Sequence, residues 1–376
     1  MNELRHTALH AEHEKLGASF TDFGGWDMPL KYENELAEHR AVRGAAGLFD
    51  LSHMGEVWVD GVDAPRFLNT ALAGNLAVMA TGKAKYSFIC DASGGIIDDL
   101  IVYRISESRY LVVPNAGNTP SVVAALTERA AGFEATVRDA SADTSLIAVQ
   151  GPRAAQILLD RARAEDRATI IDLPYYAWAT IAIDGIEMLL ARTGYTGEDG
   201  FELFLPNAAA AQLWQGLLDT GKPHGLIACG LAARDSLRLE AGMPLYGNEL
   251  GLDTTPFAAG LGTVVSFAKE EDFVGRAALE QAKAAGSPRV LVGLKGLGRR
   301  AGRGGYAVHT AEASDTTADP IGVITSGQPS PTLGYPIALA YVDAAYREPG
   351  TAVQVDLRGK LEAFEVVALP FYRRQA

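Results

Sequence analysis

The chain has 376 residues, 48% of them hydrophobic, with four Trp, 13 Tyr and 13 Phe. That is ample for two or three cored domains and excludes a disordered or fibrous chain. A formal charge of −13 argues against a broad nucleic-acid or anionic-membrane surface, though not against a small cationic pocket. Cys90 and Cys229 stand far apart with no CxxC, which argues against a disulfide framework and a cysteine zinc site. With no signal-peptide pattern and no apolar run long enough for a bilayer, the expectation is a soluble, cytoplasmic protein without a membrane partner.

Leu4 to Leu16 reads as a helix on which His6, His10 and His13 share a face. Three imidazoles could hold a metal, but no acidic or thiol ligand completes a tetrahedral set, so a solvated polar face is expected. Phe20 to Leu30 reads as a turn around Gly24-Gly25, and Asn34 to Val42 as a helix. His53 stands alone beside Asp50 and Ser52, a pattern more usual for a hydrogen-bonded structural residue than for a catalyst. Val57-Trp58-Val59 is a strand and Ala64 to Leu72 a helix with Pro65 in its first turn.

Tyr86 to Ile89 and the apolar run after Gly94-Gly95 form a hairpin, and the second strand carries Asp98 and Asp99. Successive side chains leave a strand on opposite faces, so the two acids cannot share one side. If both faces are covered, at least one carboxylate is poorly solvated and needs partners or a raised pKa, as functional acids do. A structural Asp that pins a loop is the alternative. Tyr110 to Val113 is a third strand, and Asn115 at its end is a turn residue or an amide aimed at the Asp pair.

Further on, Ser121 to Ala131 is a helix, Thr144 to Gln150 a strand, and Asp184-Gly185 the turn of a second hairpin. The glycine-rich loop Arg192 to Gly200 opens a strand rather than a helix, so it is not expected to cradle phosphate. Glu202 in that strand is a solvent-face residue or a pocket acceptor. Arg234 and Arg238 lie one turn apart on the helix Gly230 to Glu240, where they form a solvated stripe or supply positive potential to an anionic ligand. Beyond a charged, Ala-rich stretch from Phe267 to Pro288, six short strands separated by Gly, Pro and Asp turns indicate an all-β barrel or Greek-key module. Its Gly-Arg run, Gly296 to Gly305, is expected as a turn with surface arginines rather than an RNA-binding tract.

Five blocks in one order resemble a known family. They are Phe49-Asp50-Leu51-Ser52-His53-Met54; Tyr86-Ser87 with Gly94 to Tyr103; Arg192 to Glu202; Ala233 to Met243; and Thr325-Ser326-Gly327 with Ser330 to Gly334. Together they resemble the aminomethyltransferase, or T-protein, family of the glycine cleavage system, over nearly the whole chain. The resemblance implies an α+β, three-domain cloverleaf around a central folate site. Its parts would be a discontinuous α+β domain (1–52 plus 141–268), an α+β domain with the Asp pair (53–140) and a C-terminal β-barrel or Greek-key domain (285–376).

The implied reaction moves the aminomethyl carbon from the lipoyl arm of H-protein to tetrahydrofolate. It gives 5,10-methylenetetrahydrofolate, ammonia and dihydrolipoyl H-protein, with no metal or redox cofactor. Residue by residue, Asp99 matches the family's catalytic aspartate near N5 of the pterin. Met54, Tyr86, Asn115, Glu202 and Arg234 match folate-pocket positions, and Tyr195 sits in the matching loop. Tyr372 and Arg373 are the candidates from the C-terminal tail, and Met243 falls where some relatives have an aromatic residue. Two other readings share the fold. A tetrahydrofolate-dependent demethylase would form 5-methyltetrahydrofolate without ammonia. A folate-binding protein without transfer activity would carry a Lys-Gly-Cys-Tyr-x-Gly-Gln-Glu signature, but the corresponding stretch here, Asp272-Phe273-Val274-Gly275-Arg276, has no cysteine.

Overall fold

Two sheets face each other across the N-terminal two thirds of the chain, and a barrel follows them. The computed structural model describes residues 3–374. One sheet has five antiparallel strands in the order Ala84–Cys90, Ile96–Arg104, Arg109–Val113, Val57–Asp60, Thr136–Asp139. The other has six, in the order Trp178–Ile183, Ile186–Ala191, Gly200–Pro206, Thr144–Gln150, Ala46–Asp50, Leu226–Ala228, with the last pair parallel. Its strand Ala46–Asp50 precedes every strand of the five-stranded sheet, and its other five follow them. The six C-terminal strands close into a barrel, which removes exposed sheet edges. Alternate residues such as Leu294, Val308, Ile324, Ala340, Val355 and Phe364 fill it.

Local chemistry explains the elements that place the site. Helix Glu35–Gly44 starts where the Asn34 side chain accepts the backbone N–H groups of Leu36 and Ala37, at 2.9 and 3.2 Å. Asp184 and Gly185 take φ of 53° and 78°, as a two-residue type I′ hairpin requires. Gly95, after the hairpin turn, lies so close to the Leu252 carbonyl that a Cβ would stand 2.0 Å from its oxygen. Between the two sheets Tyr103, Leu111, Val113, Leu146, Ala148 and Phe204 form a shared core. Burying such side chains is worth about 1.5–3 kcal/mol each, which fixes the spacing of the sheets.

Several expectations change. The N-terminal helix spans only His10–Lys15; before it, Arg5 bridges to Trp26 in extended conformation, with Arg5 N–H to Gly25 O at 3.0 Å. His6, His10 and His13 therefore do not share one helical face. His13 is fully buried and bonds Asp50 at 2.9 Å and Tyr32 at 3.0 Å, so it is no solvated residue. The segment read as a turn, Phe20 to Leu30, is a hairpin of strands Ser19–Phe23 and Trp26–Lys31. Arg238 is buried rather than part of a solvated stripe. It pairs with Glu249 and Asp235 and donates to Ser326 of the barrel at 2.7 Å, tying barrel to helix.

Candidate active site

Register decides which acid faces which way. Phe88 pairs with Asp99 and Tyr86 with Ile101, so Tyr86, Phe88, Asp99 and Ile101 share one face of the sheet. Leu100 and Val102 point to the other face, into a core under helices Ala64–Ala71 and Thr119–Arg129, and Asp98 goes with them, fully buried. The expected division between the faces is present, yet one residue touches both acids. Pro114 has no N–H to continue the neighbouring strand, and the next residue, Asn115, turns in behind the pair. Its Nδ2 donates to Asp98 Oδ1 and to Asp99 Oδ1, each at 2.8 Å. Its backbone N–H donates to Asp98 Oδ2 at 2.8 Å, and Asn118 Nδ2 adds a third donor to Asp98 at 2.7 Å. The Tyr86 hydroxyl donates to Asp99 Oδ2 at 3.0 Å.

Burial, joined by the neighbouring Asp99 charge, pushes Asp98 up to about 7 against the pull of its N–H donors. Burial pushes Asp99 up to about 6, opposed by Tyr86 and Asn115. Two interacting carboxyls titrate as a pair, and this pair gains and loses its protons near neutrality. Proton exchange at a fixed oxygen, close to working pH, is what a general acid–base group needs.

The facing wall comes from the six-stranded sheet and the helix Leu231–Glu240. Glu202 is nine-tenths buried, and its hydrogen bonds both go to one oxygen: Thr193 Oγ1 at 2.5 Å and Tyr103 OH at 3.3 Å reach Oε2. Burial raises its pKa, while the hydroxyls and Arg234 pull it down. Arg234 stacks over Tyr195, 4.7 Å from the ring centre, and has no side-chain hydrogen bond or ion pair among the described residues. The Tyr195 hydroxyl donates to the Pro244 carbonyl, which fixes the ring. His53 lies between the walls as a neutral imidazole, pushed down to about 4 by burial and the Arg234 charge. Its Nδ1 is buried without a hydrogen-bond partner among the described residues.

Asp99, Met54, Tyr86, Asn115, Tyr195, Glu202 and Arg234 all line one cavity of about 310 Å³. A larger one of about 820 Å³ adjoins it through Phe23, Tyr195, Arg234 and Leu245, but the Asp pair and Glu202 are not on its walls. Tyr372 and Arg373 do not reach the smaller cavity. The Tyr372 ring lies 4.0 Å under the Arg43 guanidinium, its N–H bonds Glu240 O at 2.8 Å, and Arg373 is exposed. The tail packs instead behind Gly242, itself a wall residue.

Two residues that no sequence signal singled out complete the wall. Tyr103 orients Glu202, and its place two residues beyond Ile101 would have put it on the Asp99 face by alternation. Tyr176 enters the cavity from a loop at φ 57°, a conformation bulky residues rarely adopt, and nothing in Pro174-Tyr175-Tyr176 announces it. The cavity thus combines a proton-exchanging carboxylate, a second carboxylate with a free oxygen, an unpaired cation and aromatic walls. It suits a flat, polar-edged heterocycle.

Two family descriptions match the chain: the GCVT N-terminal domain over residues 9–269 and the glycine cleavage T-protein C-terminal barrel domain over residues 289–373. It is 56% identical to a protein named aminomethyltransferase from Corynebacterium aurimucosum, across 100% of both chains. It is 58% identical to one from Streptomyces avermitilis, across 100% of this chain and 99% of that one. The crystal structure of the glycine cleavage system aminomethyltransferase T from Bartonella henselae superposes with a TM-score of 0.89 at 40% identity, covering 98% of each chain. No helix among the described residues is long and apolar enough to cross a membrane. The chain belongs to the glycine cleavage T-protein family.

Proposed function

We propose that this aminomethyltransferase binds tetrahydrofolate as co-substrate in the 310 Å³ cavity. Its carbon donor is the aminomethyl group on the lipoyl arm of the glycine cleavage H-protein. The observation that carries this reading is Asp99 on the cavity face, held by Tyr86 and Asn115, with Glu202 and Arg234 across the same space.

The residues fit a pterin. A pterin edge offers N–H donors, and the second oxygen of Glu202 accepts them. Its faces need aromatic or thioether contact, which Tyr86, Tyr195, Tyr176 and Met54 provide. Arg234 supplies positive charge for the carboxylate end of the same molecule. Tetrahydrofolate brings the nucleophilic amine that takes up the carbon, and the products are 5,10-methylenetetrahydrofolate, ammonia and dihydrolipoyl H-protein.

The chain's part is orientation and charge. Tyr86 and Asn115 hold Asp99 in one position before reaction. As a carboxylate Asp99 accepts a hydrogen bond from the attacking amine and takes its proton. Before that proton moves, its negative charge stabilises the positive charge that grows on the carbon as ammonia leaves. Asp98 and Asn118 position Asn115, and through it Asp99. Tyr372 acts at a distance, buttressing Arg43, which bonds Leu237 O and Glu240 of the helix carrying Arg234. A dithiol product belongs in a reducing compartment, consistent with a cytoplasmic location.

The test is reconstitution of the intact chain with aminomethyl-loaded H-protein and tetrahydrofolate, following ammonia and the methylene product together. Equal amounts of both are expected. A chain that forms no folate product contradicts the reading, as does one that forms 5-methyltetrahydrofolate from a methyl donor without ammonia.

A further inference from the structure

One group of ligating side chains lies outside the cavity and has no part in the reaction described above. His6, His10 and Asp27 place a ring nitrogen, a ring nitrogen and a carboxylate oxygen within 4.8 Å of one another. His10 Nε2 donates to Asp27 Oδ2 at 3.0 Å, and His6 Nε2 stands 3.9 Å from the same oxygen. Glu14 comes within 3.9 Å of the other His10 nitrogen. We propose that His6, His10 and Asp27 form a binding site for a divalent transition metal. The metal clips the N-terminal segment to the hairpin of strands Ser19–Phe23 and Trp26–Lys31.

The fold builds this joint from three different pieces. Arg5 is bridged to the hairpin, with its N–H on Gly25 O at 3.0 Å and its carbonyl accepting Asp27 N–H at 2.9 Å. That register sets His6 beside Asp27. His10 opens the helix, and Phe20 stacks on its ring, 4.7 Å between centres, holding the imidazole from the hairpin side. His13, the third histidine of the sequence pattern, is engaged elsewhere with Asp50, and Asp27 takes the ligand place it leaves.

The donor set selects the metal class. Two imidazoles and one carboxylate suit zinc, nickel or copper, whereas calcium and magnesium prefer all-oxygen ligands. The His6 and His10 rings stack 3.8 Å apart and within 5° of parallel. A metal lies in the plane of each imidazole that binds it, so parallel rings do not converge as they stand. His6 has 54% of its side chain exposed and can rotate to complete the set, while His10 and Asp27 keep their places. Water would fill the remaining coordination positions.

The consequence reaches the cavity through packing. The hairpin carries Phe23, which lines both cavities and packs edge-on against His53, 5.4 Å between ring centres. Asp27 pairs across the hairpin with Asp22, the residue before Phe23, so a metal there braces that wall without touching substrate.

Chelator-treated full-length protein, titrated with zinc chloride in a calorimeter, tests the proposal. One zinc per chain is expected, together with a rise in melting temperature. His6→Ala, His10→Ala and Asp27→Asn should each weaken binding by at least about tenfold, since losing a ligand costs no less than losing a group that merely orients one. His224→Ala removes another His–carboxylate contact, 2.7 Å from Asp160, and should leave zinc binding unchanged. Copper substituted for zinc should show coupling to two nitrogens in its paramagnetic resonance spectrum. His6 is exposed, so His6→Ala keeps the fold and gives a clean reading even if the other variants do not. Absence of saturable zinc binding overturns the site, and so does binding that survives His6→Ala or is lost in His224→Ala.

Discussion

The two walls of the cavity each present a buried carboxylate, and they hold it by different means. Asp99 is gripped at both oxygens, by a phenol and an amide, with a second acid one residue away sharing that amide. Glu202 is gripped at one oxygen by two hydroxyls, with the Arg234 cation acting on it. Burial raises both. Tyr86 and Asn115 oppose that rise at Asp99, which burial still carries up to about 6, whereas at Glu202 the two hydroxyls and the Arg234 charge oppose it and leave one oxygen open as an acceptor. On the proposed reading, a carboxylate on each of two facing sheets handles protons on one side and recognises the ligand on the other.

Substitutions should separate these roles. Asp99→Ala should keep its melting temperature and lose about 10²–10⁴-fold in kcat, the usual worth of a positioned acid–base group. Asp98→Ala should do the reverse. It strips the acceptors from Asn115 N–H and Asn118 Nδ2, and stranding buried donors costs about 1–3 kcal/mol for each group left unpaired, readable by urea unfolding. Glu202→Gln, on the other wall, should raise KM for tetrahydrofolate by about tenfold, roughly 1.4 kcal/mol, with little change in kcat.

The smallest effect is in pH dependence. Asp99 has its folded value raised to about 6, so it is protonated at acidities where a free Asp would be charged. kcat/KM should therefore fall as pH drops through about 6, and Asp99→Ala should lose that limb. For stability the sign is opposite. The raised acids favour the folded state at low pH, and that contribution is lost as pH rises through about 6 for Asp99 and about 7 for Asp98.

Much of the Asp99 wall is legible in the sequence because it is local. A Gly-Gly turn, alternating apolar residues and one strand register put Asp99 beside Tyr86, and period-2 reasoning reaches that far. The barrel is legible for the same reason, as a series of short runs between turn residues. The facing wall is less so. Glu202 alternates with apolar neighbours, as a solvent-face residue would, and only the packing of two sheets turns it inward. Arg238 carries the same helical spacing as a surface arginine, yet Glu249 and Ser326 enclose it from segments distant in the chain. Asn115 reaches both acids from a strand end, Tyr176 arrives through a strained loop, and Asp27 meets His10 only because a hairpin forms where a turn was expected. Each depends on contacts between remote parts of the chain, which local periodicity does not encode.

The central claim is that the cavity-facing acid of the pair does the chemistry and the buried one supports it. The most direct measurement is the single-turnover rate of methylenetetrahydrofolate formation for Asp98→Ala and Asp99→Ala, at equal concentrations of folded protein. This account predicts that Asp99→Ala is slower than wild type by orders of magnitude while folded Asp98→Ala retains most of the rate. An inactive but well-folded Asp98→Ala beside an active Asp99→Ala would contradict it.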